Sequence, residues 1–178
     1  TIGSLPREKQ ERIAQETLEL YGPIAHRMGM GKVRAELEDL SFQALDPEAY
    51  KEIVEQIENK RKASQEFLDA IRKRVEQMLA REGIPARVEG RLKRPYSVWS
   101  KLKRQKIPIE QVYDLLAIRI ITDSLKNTYG ALGVIHNEWP PIPGRIKDFI
   151  AMPRQNGYQS LHTSVMGKGG QAFEVQIR

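Results

Sequence analysis

Two carboxylates stand where a folded chain rarely leaves them unpaired. Asp114 lies at the head of the run L-L-A-I-R-I-I-T, and Glu174 alternates with Phe173, Val175 and Ile177 in F-E-V-Q-I-R. An acid entering an apolar strand is costly unless it is paired or binds a metal. Two such acids in a basic segment suggest one Mg2+ site that also takes phosphate oxygens from a substrate. Pairing with Arg119 or another base explains each acid equally well on its own. Arg119 sits inside L-A-I-R-I-I and should have a planar partner, either a carboxylate or an aromatic ring.

A second constellation is Arg91-x-Lys93-x-x-x-Ser97-x-x-x-Lys101. If a helix opens at Pro95, Ser97 and Lys101 share a face, with Lys93 just ahead of the helix start. A helix N-terminus offers free N–H groups and partial positive charge, and added cations suit a polyphosphate better than a single phosphate. A solvated basic face accounts for the same residues, and Tyr96 and Trp99 among them fit a core equally well. The third constellation runs from Gly144 and carries Arg145, Lys147, Arg154, Asn156, Tyr158, Gln159 and His162. Asn156-Gly157 signals a turn that would present Tyr158, whose ring could stack on a base. His162 suits a phosphate or ribose contact, or a structural hydrogen bond.

The elements that must position these groups fall in two parts. Residues 1–80 carry 13 basic and 15 acidic side chains, whereas residues 81–178 carry 16 basic and 8 acidic. The second part should therefore attract an anion. The first part reads as helices: roughly 6–28, kinked or broken at Pro23, then about 31–44. A start signal follows at Asp46-Pro47-Glu48. Apolar residues at helical spacing then run to a stop at Gly83, as one helix or as two separated near 59–64. After Gly83 the expectation is a strand over 86–92, a helix from Pro95 to about 104, a buried strand over 115–122 and a helix capped by Ser124. Strands are expected at 149–152, 161–166 and 173–177, the last two joined by a G-K-G-G hairpin turn.

Composition excludes several chemistries. There is no Cys, so no disulfide, thiolate zinc site or cysteine nucleophile. The three His residues show no metal-ligand spacing. No apolar run approaches the ~18 residues a membrane span needs, and no apolar leader opens the chain. A cytoplasmic protein with no membrane partner is expected, and the absent initiating Met suggests a piece of something longer.

Four ordered motifs carry a resemblance: R-L-K-R-P-Y-S-V-W-S-K, V-Y-D-L-L-A-I-R-I, P-G-R-I-K-D-F-I-A-M-P-R-Q-N-G-Y-Q-S-L-H-T and F-E-V-Q-I-R. Over about 86–178 they closely resemble the synthetase domain of long, bifunctional RelA/SpoT-type alarmone enzymes. The resemblance implies an α+β, nucleotidyltransferase-like fold related to polymerase palms, a mixed sheet flanked by helices and preceded by a helical segment. It implies the helical tail of a hydrolase domain and connector at 1–45, a scaffold helix or helix pair at 46–83 and a synthetase domain at 84–178. The implied reaction moves the β,γ-diphosphate of ATP to the ribose 3′-hydroxyl of GDP or GTP.

By position, Arg91 and Arg119 resemble the pair sandwiching adenine, and Lys93, Ser97 and Lys101 resemble ATP phosphate ligands. Asp114 and Glu174 resemble the catalytic acids and Mg2+ ligands, with Mn2+ as an alternative ion. Tyr158 resembles the residue stacked on guanine, with Lys147, Arg154, Asn156 and His162 around the acceptor nucleotide. R-I-K-D at 145–148 resembles the basic form of a motif that goes with bifunctional members and a leaning toward GDP. Ile146 replaces a common Phe, and Arg154 stands where Lys is frequent. The hydrolase motifs, including their H-D pair, are not in these residues, so hydrolysis is expected to be absent. Ribosome and tRNA contacts are expected only through other regions. The alternatives are a basic RNA-binding module and a catalytically silent nucleotide-binding domain.

Overall fold

In the computed structural model, which describes residues 2–109, 112 and 115–178, the chain divides into two units. The first comprises Thr1–Asn59, Arg94–Ile109 and Gln155–Gly157. Here α1 (Arg7–Glu16) passes through a π turn at Thr17–Tyr21 into α2 (Gly22–Arg27). Of the kink or break expected at Pro23, no break occurs: the helical path runs on from Arg7 to Arg27. The Gly22 N–H reaches back to the Thr17 carbonyl, and this wider turn relieves the clash between the proline ring and the carbonyl four residues earlier. Next come α3 (Gly31–Leu45) and α4 (Pro47–Ala63). Asp46 starts α4 as its sequence signal requires, its Oδ1 accepting the Ala49 N–H at 3.0 Å. α6 (Pro95–Gln105) joins this unit through aromatic packing. Phe42, fully buried, lies 4.5 Å from Trp99, 6.1 Å from Tyr96 and 5.5 Å from Tyr50 between ring centroids. Tyr96 and Trp99 are thus half-buried against Phe42 in the helical unit.

The second unit comprises Lys60–Lys93, Glu110–Arg154 and Tyr158–Arg178. α5 (Gln65–Arg81) is separated from α4 at Ser64 and stops at Gly83, whose φ of +65° suits a residue without a Cβ. The strands are β1 (Ala86–Leu92), β2 (Leu116–Thr122), β3 (Lys147–Asp148), β4 (Leu161–Met166) and β5 (Ala172–Ile177), with α7 (Leu125–Glu138) after β2. Ser124 caps α7, accepting the Asn127 N–H at 3.3 Å. The sheet order is β1-β2-β5-β4-β3. β2 and β5 pair in parallel and the other neighbours are antiparallel, which makes the sheet mixed.

The strand expected at 149–152 is a turn instead. The Phe149 N–H still donates to the Ser160 carbonyl at 3.0 Å, but Asp148 Oδ1 accepts the N–H groups of Ile150 and Ala151 at 2.9 and 2.8 Å, so the segment curls back on a side chain after that one bond.

Pleating sends alternate residues to opposite faces. On one face Val88, Ile120, Ile177 and Leu161 align across the strands, followed by Ile118, Val175 and Thr163. These residues pack against Leu68, Ile71, Val75 and Leu79 of α5 and Ala131 and Ile135 of α7. Arg74 of α5 ties down Glu138 at the end of α7 by two hydrogen bonds of 2.9 and 3.0 Å. Phe173 is fully buried here, edge-on to Trp139 at 5.4 Å and to Phe67 at 5.8 Å. Phe173→Ala should cost about 3–5 kcal/mol, as large aromatic truncations in closed cores do. Urea unfolding should show a lower midpoint at unchanged slope.

The same core holds a pH-sensitive contact. His136 Nε2 lies 2.8 Å from Thr163 Oγ1, and burial lowers the imidazole pKa below its ordinary 6.5. The folded chain therefore takes up this proton less readily than the unfolded chain. The contribution to stability is complete above 6.5 and is lost as pH falls through the depressed folded value. His136→Gln should flatten the difference between urea midpoints measured above and below pH 6.5, and an undiminished difference would refute the assignment.

Candidate active site

The opposite face of the sheet is polar. Glu89, Arg119, Gln176, His162 and Lys147 stand in one row across β1, β2, β5, β4 and β3. Arg91, Ala117, Glu174 and Ser164 form the next row along the strands. The register thus brings sequence-distant charges together, which no local pattern can do. Ala117 lies between Arg91 and Glu174, and its methyl group leaves room for the longer Arg91 side chain to reach β5.

A continuous hydrogen-bonded chain crosses this face. Arg91 Nη1 donates to Gln176 Oε1, and Gln176 Nε2 donates to Glu174 Oε1 at 2.8 Å. His162 Nδ1 lies 3.0 Å from the same carboxylate oxygen, and His162 Nε2 lies 2.8 Å from the Tyr158 hydroxyl. With the imidazole neutral, one tautomer satisfies every partner: Nδ1–H donates to Glu174, and Nε2 accepts from Tyr158. Glu174 and His162 keep side-chain exposures of 16% and 17%, low enough to strengthen their interactions and open enough to meet a substrate.

Arg119 finds the expected carboxylate, Glu89, at 3.9 Å, but Glu89 also holds Arg87 at 3.0 Å. Burial lowers the pKa of Arg119, and repulsion from Arg91 and Arg178 lowers it further against the opposing pull of Glu89. Positive charge therefore exceeds its compensation on this part of the face, which suits an electron-rich ring or an anion.

Below His162 an aromatic corner forms. Phe149 lies 5.3 Å from the His162 ring and 6.0 Å from Tyr158, and the Arg154 guanidinium sits 4.2 Å over Phe149 and 5.4 Å over Tyr158. The Arg154 N–H closes the turn onto the Tyr158 carbonyl at 3.3 Å, with Gly157 at φ +73°. Sequence reasoning missed Phe149 and Gln176. The aromatic residue directly after K-D was the available signal for the first; the second carried none. Lys147 is exposed, opposite His162 in the register.

Of the groups expected to hold ATP phosphates, Lys93 follows β1, its N–H donating to the Leu115 carbonyl at 3.3 Å. Ser97 and Lys101 are half-buried on α6 in the helical unit. That helix starts on Asp39 of α3. Asp39 Oδ1 accepts the Tyr96 N–H at 3.0 Å, and Oδ2 lies 3.4 Å from Arg94 Nη1. Burial raises the Asp39 pKa despite both contacts. Asn156, in the same unit, donates from Nδ2 to the His26 carbonyl at 3.0 Å. A Cβ at Gly29 would come within 3.2 Å of the Asn156 carbonyl, so glycine is needed there. Asp114 lies outside the described residues. Among the described residues no cluster of His, Asp or Glu forms a ready-made metal site. An ion that takes only one or two carboxylates and draws its remaining ligands from water and substrate phosphates would find one such group in Glu174.

Comparison with known proteins identifies the family. The family described as "Region found in RelA / SpoT proteins" matches residues 90–178. A GTP pyrophosphokinase of Streptomyces coelicolor is 47% identical over the whole chain, which covers 21% of that protein. The bifunctional (p)ppGpp synthase/hydrolase SpoT of Escherichia coli is 44% identical over the whole chain, covering 25% of that protein. The chain thus spans a quarter or less of these curated relatives. Among solved structures, small alarmone synthetase 1 of Bacillus subtilis bound to its product pppGpp superposes with a TM-score of 0.54. Its identity is 22%, over 70% of this chain and 73% of that one. Small alarmone synthetase 2 of the same organism gives 0.55 at 24% identity, over 68% and 71%. The mixed sheet with helices on its apolar face is therefore the α+β fold of the alarmone synthetases, as the motifs led one to expect. Ordered motifs, family match and fold together place this chain in the RelA/SpoT family.

Proposed function

We propose that this chain is a (p)ppGpp synthetase acting in the stringent response of a cytoplasm. It transfers the β,γ-diphosphate of ATP to the 3′-hydroxyl of GDP or GTP, giving ppGpp or pppGpp and AMP. The observation that carries this reading is the chain Arg91–Gln176–Glu174–His162–Tyr158, which links a cationic corner to an aromatic one through a carboxylate.

Arg91 and Arg119 hold the adenine between guanidinium planes, and Lys93, Ser97 and Lys101 take its phosphates. Tyr158 stacks on guanine, with Lys147, Arg154, Asn156 and His162 around the acceptor. Glu174 takes the proton of the 3′-hydroxyl as that oxygen bonds to the β-phosphorus and the bridge to the α-phosphate breaks. The electron pair of the broken bond leaves on AMP. His162 and Gln176 hold the Glu174 carboxylate in place for that proton.

ATP and GDP together bring roughly seven negative charges at neutral pH. Holding both close is the larger part of catalysis in such transfers. Mg2+, with Glu174 and Asp114 as its protein ligands, would neutralise phosphate charge when bound. The test is incubation with ATP, GDP and Mg2+, following AMP and ppGpp by chromatography; no ppGpp from folded chain overturns the reading. An RNA-binding module would need exposed aromatics along 87–106, and the packing of the half-buried Tyr96 and Trp99 rings against Phe42 weighs against it.

A further inference from the structure

Gln176 lies within F-E-V-Q-I-R, where the resemblance gives it no role, yet it sits at the centre of the polar face. It lies opposite Arg119 on β2 and His162 on β4, and is only 8% exposed. Its two polar atoms face opposite chemistries. Oε1 accepts from the Arg91 guanidinium and Nε2 donates to the Glu174 carboxylate. The orientation of the amide is fixed by those partners: a guanidinium has only donors and an ionised carboxylate only acceptors, so a flipped amide would oppose like to like at both ends. Both bonds are charge-assisted. A glutamate at 176 would satisfy Arg91 but face Glu174 as a second carboxylate. A leucine would satisfy neither.

We propose that Gln176 is a positioning residue that couples the two nucleotide sites. It ties Arg91, on the ATP side, to Glu174, on the acceptor side, so that filling one site sets the geometry of the other. The inference rests on the roles proposed above for Arg91 and Glu174. A guanidinium stacked on a purine loses rotational freedom. The amide passes that restriction to the carboxylate through two directional bonds. Linkage requires the effect to run equally in reverse.

The test uses wild-type chain, Gln176→Leu and Gln176→Glu. Calorimetry would measure GDP affinity with and without α,β-methylene-ATP, and the affinity of that analogue with and without GDP. In the wild type each nucleotide should tighten the other by about 5–150-fold, the usual span of coupling between sites. Gln176→Leu should abolish the coupling while GDP alone binds within a few-fold of wild type. Gln176→Glu keeps the Arg91 contact, so it should retain affinity for the analogue but lose the coupling. Both should lower kcat by roughly 10–100-fold, the range seen when a residue orienting a functional ligand is lost.

A merely structural role would lower Tm and the active fraction while leaving the coupling factor intact. Unchanged coupling in Gln176→Leu, or none in the wild type, overturns the inference. Cooperative nucleotide binding without ppGpp formation would defeat the diphosphotransfer reading and leave the coupling standing. Formation of ppGpp without coupling would do the reverse.

Discussion

Glu174→Gln should cut ppGpp formation by about 10²–10⁴-fold, the contribution typical of a positioned general base. The amide is nearly isosteric with the carboxylate, and its oxygen can accept from both His162 Nδ1 and Gln176 Nε2, which now meet a single carboxylate oxygen. The fold and the KM values for ATP and GDP should therefore change little, and the loss should appear in kcat. That split identifies an interaction made in the transition state rather than in the ground state. Turnover within tenfold of wild type, with far-ultraviolet circular dichroism unchanged, would falsify the role given to this carboxylate.

The second large effect is expected on the acceptor side. Tyr158→Ala removes the ring proposed to stack on guanine, an interaction worth about 1–3 kcal/mol, so GDP should bind roughly 5–150-fold more weakly. Tyr158→Phe keeps the ring and removes only the hydroxyl that meets His162 Nε2. Its GDP affinity should stay within a few-fold of wild type, with the deficit falling on turnover. Isothermal titration of GDP into the two variants separates the cases. If Tyr158→Ala binds GDP as wild type does, the aromatic corner is not the guanine site.

Much of the architecture is written in short-range patterns. β2 is legible from its apolar run, β5 from strict alternation around Glu174, and α4 from Asp46-Pro47. The two charges that break an apolar pattern, Arg119 and Glu174, are also the ones the fold turns toward the polar face. The 149–152 segment misled because Phe149, Ile150 and Met152 favour strands, while the competing Asp148 side chain acts only once the backbone bends. Gln176 was illegible for a different reason. A glutamine near a strand end is unremarkable until β1 lies beside β2, Ala117 leaves a gap and Arg91 crosses it. Nor does any local periodicity announce that α6 clusters with the N-terminal helices. That grouping comes from Phe42 against Trp99 and from Asp39 at the helix start, contacts between residues far apart in the chain.

Because α5 and α7 pack on one face of the sheet, β5 divides its labour by parity: Phe173, Val175 and Ile177 enter that core, while Glu174 and Gln176 stand on the polar face. Evolution can therefore tune rate and durability on interleaved letters of a single hexapeptide. Deleting one letter ahead of that stretch would exchange the two sets, burying the carboxylate and exposing the phenyl ring. Insertions and deletions here should thus be tolerated, if at all, only in pairs.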